Sequence, residues 1–466
     1  MTAKRKHKEK NWFWRTIDSI EGDKVVWIIV LLLIMFSILA IFSSTSLLKE
    51  GSKDRIDFIK DHIFFVGIGL GLVFGIYKIP WLGLFRWLSQ FGFLLSVFLL
   101  VLLLSKIDIE GVIVSEYING ARRTLRIFNQ QFHVYEVVKV AMVMYLAWAI
   151  QAYKTDCEAM AKKKQSRCFK TANSLARLDR LAFLASGRSK RWMYMYIPIL
   201  VITVMIIPGS NSSAIFIGAV MIAVLLIGDM PKSDILMIGA GLSVALLIMV
   251  GIYYGSGKQK AKRIGTLISR VETAFDRKLP LEGLKPGTIE YDRAIDKMRQ
   301  PYSAKIAIHE GGFLGKHSGN STQKYVVSNI YGDYMYSFII EEYGILGGIV
   351  ILFLFVTLLA RGSMIARNCS NEFAKITVGG LTILITGQAF MHMMVNVGLM
   401  PMTGQTLPLI SHGSFAFLVF CIAFGVILSI SRMAQKKIRA EEEAARPLYE
   451  SDKDDIQVTM DVLEQL

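Results

Sequence analysis

The stretch VVWIIVLLLIMFSILAIFSSTSLL, residues 25–48, runs for 24 positions without one ionisable side chain. As a helix rising about 1.5 Å per residue it is long enough to cross a hydrocarbon core of about 30 Å. It follows the basic run KRKHKEK (residues 4–10), is too long for the apolar core of a secretory signal and lacks a small-residue cleavage site, so it reads as a retained first span. Similar blocks recur near 63–79, 88–105, 136–153, 193–208, 213–229, 234–254, 335–360, 374–395 and 412–431. The predicted fold class is therefore all-α, a polytopic membrane protein with ten transmembrane helices. The 466 residues are 53% hydrophobic and only 19% charged, with a mean hydropathy of +0.44, which excludes a soluble multidomain chain. Solid apolar blocks also exclude a porin-like barrel, whose strands alternate.

Short-loop charges set the orientation. Residues 154–192 carry 11 Lys or Arg against 3 acids, whereas 49–62 carry 4 against 4, so the 154–192 loop is expected in the cytoplasm. Ten spans then place both termini inside and put a long extracytoplasmic loop, 255–334, between helices 7 and 8. That loop holds 14 basic and 8 acidic residues, and its length exempts it from the positive-inside rule. The expected organisation is a basic cytoplasmic lead (1–24), a membrane domain (25–432) and a cytoplasmic tail (433–466). The tail is acidic, and disorder competes with partial helix there.

A formal charge of +16 would suggest nucleic acid in a soluble protein, but here insertion topology and anionic lipid account for it, and no nucleic-acid partner is expected. The four cysteines imply no disulfide framework, and neither they nor the scattered histidines have the spacing of a metal site.

Three outer stretches carry chemistry. In NGARRTLRIFNQQFHVYEVVK (119–139), Arg122, Arg123 and Arg126 concentrate positive charge ahead of Glu136 and Lys139. The last two lie three apart on one helix face, as an interfacial ion pair or as substrate contacts. In the long loop, glycines at 311, 312, 315 and 319 allow close backbone approach, beside the polar residues Lys316, Asn320, Ser321, Thr322 and Gln323. A phosphate-binding P-loop is excluded, because Glu310 stands where its first glycine belongs and His317 where Ser or Thr is required. Asp333 is an acid among tyrosines just before a span, either an ordinary helix-capping aspartate or a partly desolvated base. Glu341 and Glu342 lie deeper, where acids need pairing or function. In MHMMVNVGLMPMTGQTLPLISHGSFAF (391–417), prolines and glycines interrupt the apolar pattern as in broken backbone lining a cavity.

These stretches resemble the SEDS family of FtsW, RodA and SpoVE proteins. GGFLGKHSGNSTQK (311–324) is similar to the family's GGLxGxGxGNSxQK, GDYMYSFIIEEYGILGG (332–348) to its TDFIFAxIxEExGxxG, and GLMPMTGQTLPLISHGS (398–414) to its GLLPxTGxxLPFxSYGGS. The resemblance runs from about residue 25 to 432 and is closest to the division branch. It implies a glycosyltransferase that polymerises lipid II into peptidoglycan on the outer face of the bacterial cytoplasmic membrane and releases undecaprenyl pyrophosphate. The partners it implies are a class B penicillin-binding protein and other divisome or elongasome membrane proteins. By motif position Asp333 falls on the family's essential outer aspartate, which replaces the capping reading with a catalytic one. Glu136 and Lys139 fall on the acid and lysine of QPSExxK, and Arg263 on a basic position before the outer loop. Substrate contacts are expected at Arg122, Arg123, Glu136, Lys139, Arg263, Lys316, Asn320, Ser321, Gln323 and Ser411. The chain departs from the family where QPSE reads HVYE (133–136), HTD reads YGD (331–333), SYGGSS reads SHGSFA (411–416) and PDxGT reads PGSNSSA (208–214), while Thr124 stands in place of an aromatic.

Pyrophosphate leaves without a proton, so one carboxylate base suffices and cations replace the general acid. No metal ligand or cofactor is evident, although a divalent cation at the pyrophosphate would suit the chemistry. A lipid II flippase and a non-enzymatic divisome scaffold are the rival readings.

Overall fold

A computed structural model describes residues 21–45, 55–105, 113–118, 121–127, 130–162, 169, 186–255, 288–327 and 330–464. Helices occupy all ten apolar blocks: α1 (Lys24–Ser44), α2 (Arg55–Tyr77), α3 (Leu82–Leu104), α4 (Val134–Ala161), α5 (Gly187–Arg191) leading through a π turn into α6 (Ile197–Ile206), α7 (Asn211–Ile227), α8 (Lys232–Gly255), α10 (Met335–Asn368), α11 (Glu372–Asn396) and α12 (Ser414–Glu464). Among the described residues, seven helices are long and apolar enough to cross a membrane: α1, α2, α3, α4, α10, α11 and α12. This is a multi-pass membrane protein. Helical backbone satisfies its own hydrogen bonds, which is what a lipid solvent demands.

The bundle is built around α4, α11 and α12. Their most apolar windows are 83%, 67% and 78% buried, against 22% for α2 and 28% for α3, which turn most of their surface outward. Outward residues include Phe64, Trp87, Leu94 and Phe98, a distribution suited to lipid. At one end, buried Asp23 caps α1 by accepting from Val25 N and Val26 N, pairs with Arg361 at 2.6 Å, and donates its own amide N–H to Ser431 Oγ at 2.9 Å. One residue thus ties α1, α10 and α12 together, through its carboxylate and its backbone amide; the cap alone is worth about 1 kcal/mol.

Three features depart from expectation. The fold is mostly helical, as expected, with one addition to the all-α class: residues before α4 form a three-stranded antiparallel sheet, β1 (Ile113–Ile118), β2 (Ala121–Ile127) and β3 (Gln130–Phe132), with a register shift at Glu116/Tyr117. Its strands are short and carry charge, so their period-two signal is weak. The 255–334 loop contains a helix, α9 (Ile289–Gly311), capped by Thr288 and packed on α10. The tail is helical rather than disordered: α12 continues from the apolar block to Glu464. Its Ala, Glu, Lys and Arg content favours helix, and a span already formed removes the nucleation cost.

Candidate active site

Asp333 lies in the turn that leads into α10 and is half-buried. The three consecutive carbonyls of that turn are each held from outside it. His412 N donates to Tyr331 O at 2.8 Å, Ser411 Oγ to Gly332 O at 2.9 Å, and Asn396 Nδ2 to Asp333 O at 3.2 Å. Ser411 is itself fixed, accepting from Leu407 N at 2.9 Å. Rings of Phe58, Tyr331 and His412 pack beside the turn, with Phe58 and His412 centroids 4.2 Å apart. A turn would normally be mobile surface backbone; here its carbonyls are pinned by the broken backbone of the 398–414 stretch and the end of α11.

A second polar group sits on α4. Lys139 is 1% exposed, and its Nζ donates to Glu136 Oε1 at 2.6 Å, Gln388 Oε1 at 2.7 Å and Gln405 Oε1 at 2.7 Å, using all three ammonium hydrogens. Gln405 Nε2 reaches Ser213 Oγ at 2.9 Å, and its carbonyl lies 2.8 Å from His392 Nδ1. The His392 carbonyl in turn accepts from Asn396 Nδ2 at 2.8 Å. Hydrogen bonds thus link residue to residue from Glu136 through Lys139, Gln405, His392 and Asn396 to the Asp333 carbonyl, passing from side chain to backbone within Gln405 and His392. Glu136 Oε2 and His392 Nε2 are buried with no hydrogen bond among the described residues.

The glycine-rich loop is organised by the two deep acids. Glu341 accepts from Ser321 Oγ at 2.5 Å, Thr322 N at 2.8 Å, Gln323 N at 3.2 Å and Lys316 Nζ at 3.3 Å. Glu342 accepts from Ser43 Oγ at 2.5 Å and Gly319 N at 2.9 Å. Lys316 also pairs with Glu310, and it and the Thr322 hydroxyl hold the Glu310 carboxyl below the usual carboxylate range. Behind this loop α10 breaks at Gly344 (φ 72°, ψ −178°). Into the break come Ile345 N to Gly312 O at 2.9 Å and Lys316 N to Glu341 O at 2.9 Å. A Cβ on Gly315 would strike the carbonyl of Glu342, and one on Gly344 the carbonyl of Phe313.

The expected site residues fall into distinct settings. Ser411 holds the Asp333 turn. Lys316, Ser321 and Gln323 are bonded to Glu341, and Asn320 is exposed, its Nδ2 donating to Lys316 O at 3.0 Å. Arg123 leaves β2 and its Nε reaches Gly209 O at 3.2 Å, next to the PGSNSSA segment. Arg122 pairs with Tyr117 in the β1–β2 ladder, and Arg263 lies outside the described residues. Asn396, His392, Gln388 and Gln405 were not singled out from sequence. Each lies inside or beside the third stretch, but only folding reveals that they face α4 and the Asp333 turn.

A family profile described as cell cycle protein, that of FtsW, RodA and SpoVE, matches residues 23–436. The chain belongs to this family. Over 413 residues it is 26% identical to a "probable peptidoglycan glycosyltransferase FtsW" of Trichlorobacter lovleyi, covering 88% of this chain and 93% of that one. It is 24% identical over 422 residues to stage V sporulation protein E of Bacillus subtilis, covering 90% and 100%. Among solved structures, a peptidoglycan synthase complex studied for its coordination of polymerization and crosslinking superposes with a TM-score of 0.56 at 18% identity, over 89% of this chain and 98% of that one. The rod shape determining protein RodA of Thermus thermophilus gives 0.53 at 18% identity, over 89% and 98%. These two likenesses carry the fold. Among the described residues no group of three or more His, Cys, Asp or Glu stands together as a metal site.

Proposed function

We propose that this family member is a peptidoglycan glycosyltransferase that polymerises lipid II on the outer face of the cytoplasmic membrane. The observation that carries the reading is the pinned turn: a half-buried carboxylate whose backbone is held at three consecutive carbonyls and connected through hydrogen bonds to a buried lysine. Such fixing is what a general base needs, since proton transfer depends on geometry first. Asp333 takes the proton from the acceptor GlcNAc hydroxyl as that oxygen attacks the donor MurNAc anomeric carbon, which inverts. The bond to undecaprenyl pyrophosphate breaks and the leaving group carries away the electron pair, so no general acid is required.

Cations meet the charge that develops on the pyrophosphate. Arg122, Arg123 and Arg263 supply guanidinium groups, which suit bidentate phosphate contacts, while Lys139 gives charge at the base of the site. Any divalent cation would arrive on the pyrophosphate oxygens and reinforce the same stabilisation. Lipid tails remain in the bilayer while sugars project from it, so a site at the outer end of the bundle brings donor and acceptor together.

The reading includes ten spans, both termini in the cytoplasm, the 255–334 loop on the periplasmic or external side, a division role, and a class B penicillin-binding protein that cross-links the product. Purified protein, lipid II and that partner are combined and glycan products resolved on a gel, beside Asp333→Asn. Loss of about 10²-fold or more with normal folding is expected for a general base; full activity of the variant removes the base assignment. Intact translocation of lipid II with no polymer from the wild type would favour a flippase instead. Labelling of the 311–324 loop by impermeant reagents from the cytoplasmic side would overturn the topology.

A further inference from the structure

Asn396 is 1% exposed, and every hydrogen-bonding capacity of its amide is used. Its Oδ1 accepts from Ser337 N at 2.9 Å and Ser337 Oγ at 2.8 Å, and its Nδ2 donates to His392 O at 2.8 Å and Asp333 O at 3.2 Å. The first turn of any helix leaves amide hydrogens without an intrahelical acceptor. Helix α10 begins after Tyr334, which makes no side-chain cap. Asn396, the last residue of α11, supplies the missing acceptor from another helix. With the opposite end of the same planar amide it grips the carbonyl of Asp333. The start of α10 and the acid that precedes it are therefore set at a fixed spacing by one rigid group.

We infer that Asn396 is a positioning residue for the reaction: it aims the Asp333 carboxylate by fixing the peptide that bears it. This rests on the glycosyltransferase reading. A residue that only capped α10 would need Oδ1 alone. The Nδ2 contacts to Asp333 and His392 instead join the catalytic turn to the end of α11 and, through His392 and Gln405, to the residues around Lys139. Ser411 holds the neighbouring peptide by donating to Gly332 O.

Two variants separate capping from aiming. Asn396→Ala removes both ends; Asn396→Asp retains an acceptor for Ser337 and loses both Nδ2 donations. With the wild-type complex as reference, both are expected to lower kcat for lipid II polymerisation about 10- to 100-fold, the scale of a small misplacement of a reacting group, with KM within about twofold, because no contact to substrate is removed. Asn396→Asp sets a carboxyl against the carbonyls of Asp333 and His392 and is expected to lower the melting temperature, so its loss of kcat is read against its fraction of folded protein and is expected to exceed it. Wild-type kcat in Asn396→Asp, or a loss in either variant no larger than its loss of folded protein, overturns the inference. Hydrogen exchange at residues 331–337 provides a reading independent of activity, and faster exchange in Asn396→Ala is expected. Unchanged exchange there overturns the positioning role, whereas a wild-type complex that makes no polymer overturns the glycosyltransferase reading alone.

Discussion

Lys139 Nζ and Gln405 Oε1 stand 2.7 Å apart although 266 positions separate them in the chain. That contact joins the α4 stretch to the broken backbone before α12. It also shows how the buried cation is tolerated: three oxygens replace its water.

Removing the cation leaves Glu136 as an uncompensated charge. Lys139→Met is expected to destabilise the detergent-solubilised protein by about 3–5 kcal/mol, the cost of breaking a buried pair from one side. Adding Glu136→Gln is expected to recover a large part of it. Thermal unfolding of the two single variants and the double variant measures the coupling; strictly additive losses would show that the pair does not act as a unit.

Glu342 draws α1 and the glycine-rich loop onto α10 through Ser43 Oγ and Gly319 N. Glu342→Ala strands the buried Ser43 hydroxyl, at about 1–3 kcal/mol for a buried group left unmet, and leaves Gly319 N only Ser43 Oγ, 3.0 Å away, as acceptor. Limited proteolysis is expected to cut within residues 312–327 faster than in the wild type, while a cut rate equal to the wild type would mean the loop is held by other contacts.

Gly344 and Gly241 give a paired test of backbone. Gly344 has φ 72°, and an added Cβ would meet the carbonyl of Phe313 and the amide of Gly315, whereas around Gly241 nothing lies within 4 Å. Gly344→Ala is expected to yield little monodisperse protein. Gly241→Ala is expected to be neutral or to stabilise α8 by up to about 1 kcal/mol. Size-exclusion profiles and melting temperatures compare them directly.

The ion pair of Glu310 with Lys316 gives the glycine-rich loop an acid limit. The Glu310 carboxyl is held below its ordinary value of 4.5 by hydrogen bonds from Lys316 and Thr322. Its stabilising effect is therefore fully present above that value and is lost as pH falls through the depressed folded one. Protease resistance of the 312–327 segment is expected to be flat at neutral pH and to drop only below about pH 4.5. Glu310→Gln is expected to remove that component; an unchanged acid transition in the variant would assign it to other carboxylates.

The seven long apolar helices were legible because a bilayer imposes a length and an apolarity that each block shows by itself, as in residues 25–48. The candidate base was legible only by resemblance, since Asp333 by composition is an ordinary acid before a helix. The sheet ahead of α4 was not legible: ARRTLRI mixes charged and apolar residues without clean alternation, and its pairing is tertiary. Nor were Asn396, His392 and Gln388, whose partners lie on other helices or in another loop and leave no local pattern. That Lys316, Ser321 and Gln323 bond to the buried Glu341 was not legible either, because a polar cluster among glycines looks the same in sequence whatever it faces.

The crossing at Gly315 and Gly344 leaves no room for even one methyl group between loop and helix. The two glycine runs are thus halves of a single joint, separated in the sequence but inseparable in space, so that changing either half alone must pry open the seam that both share.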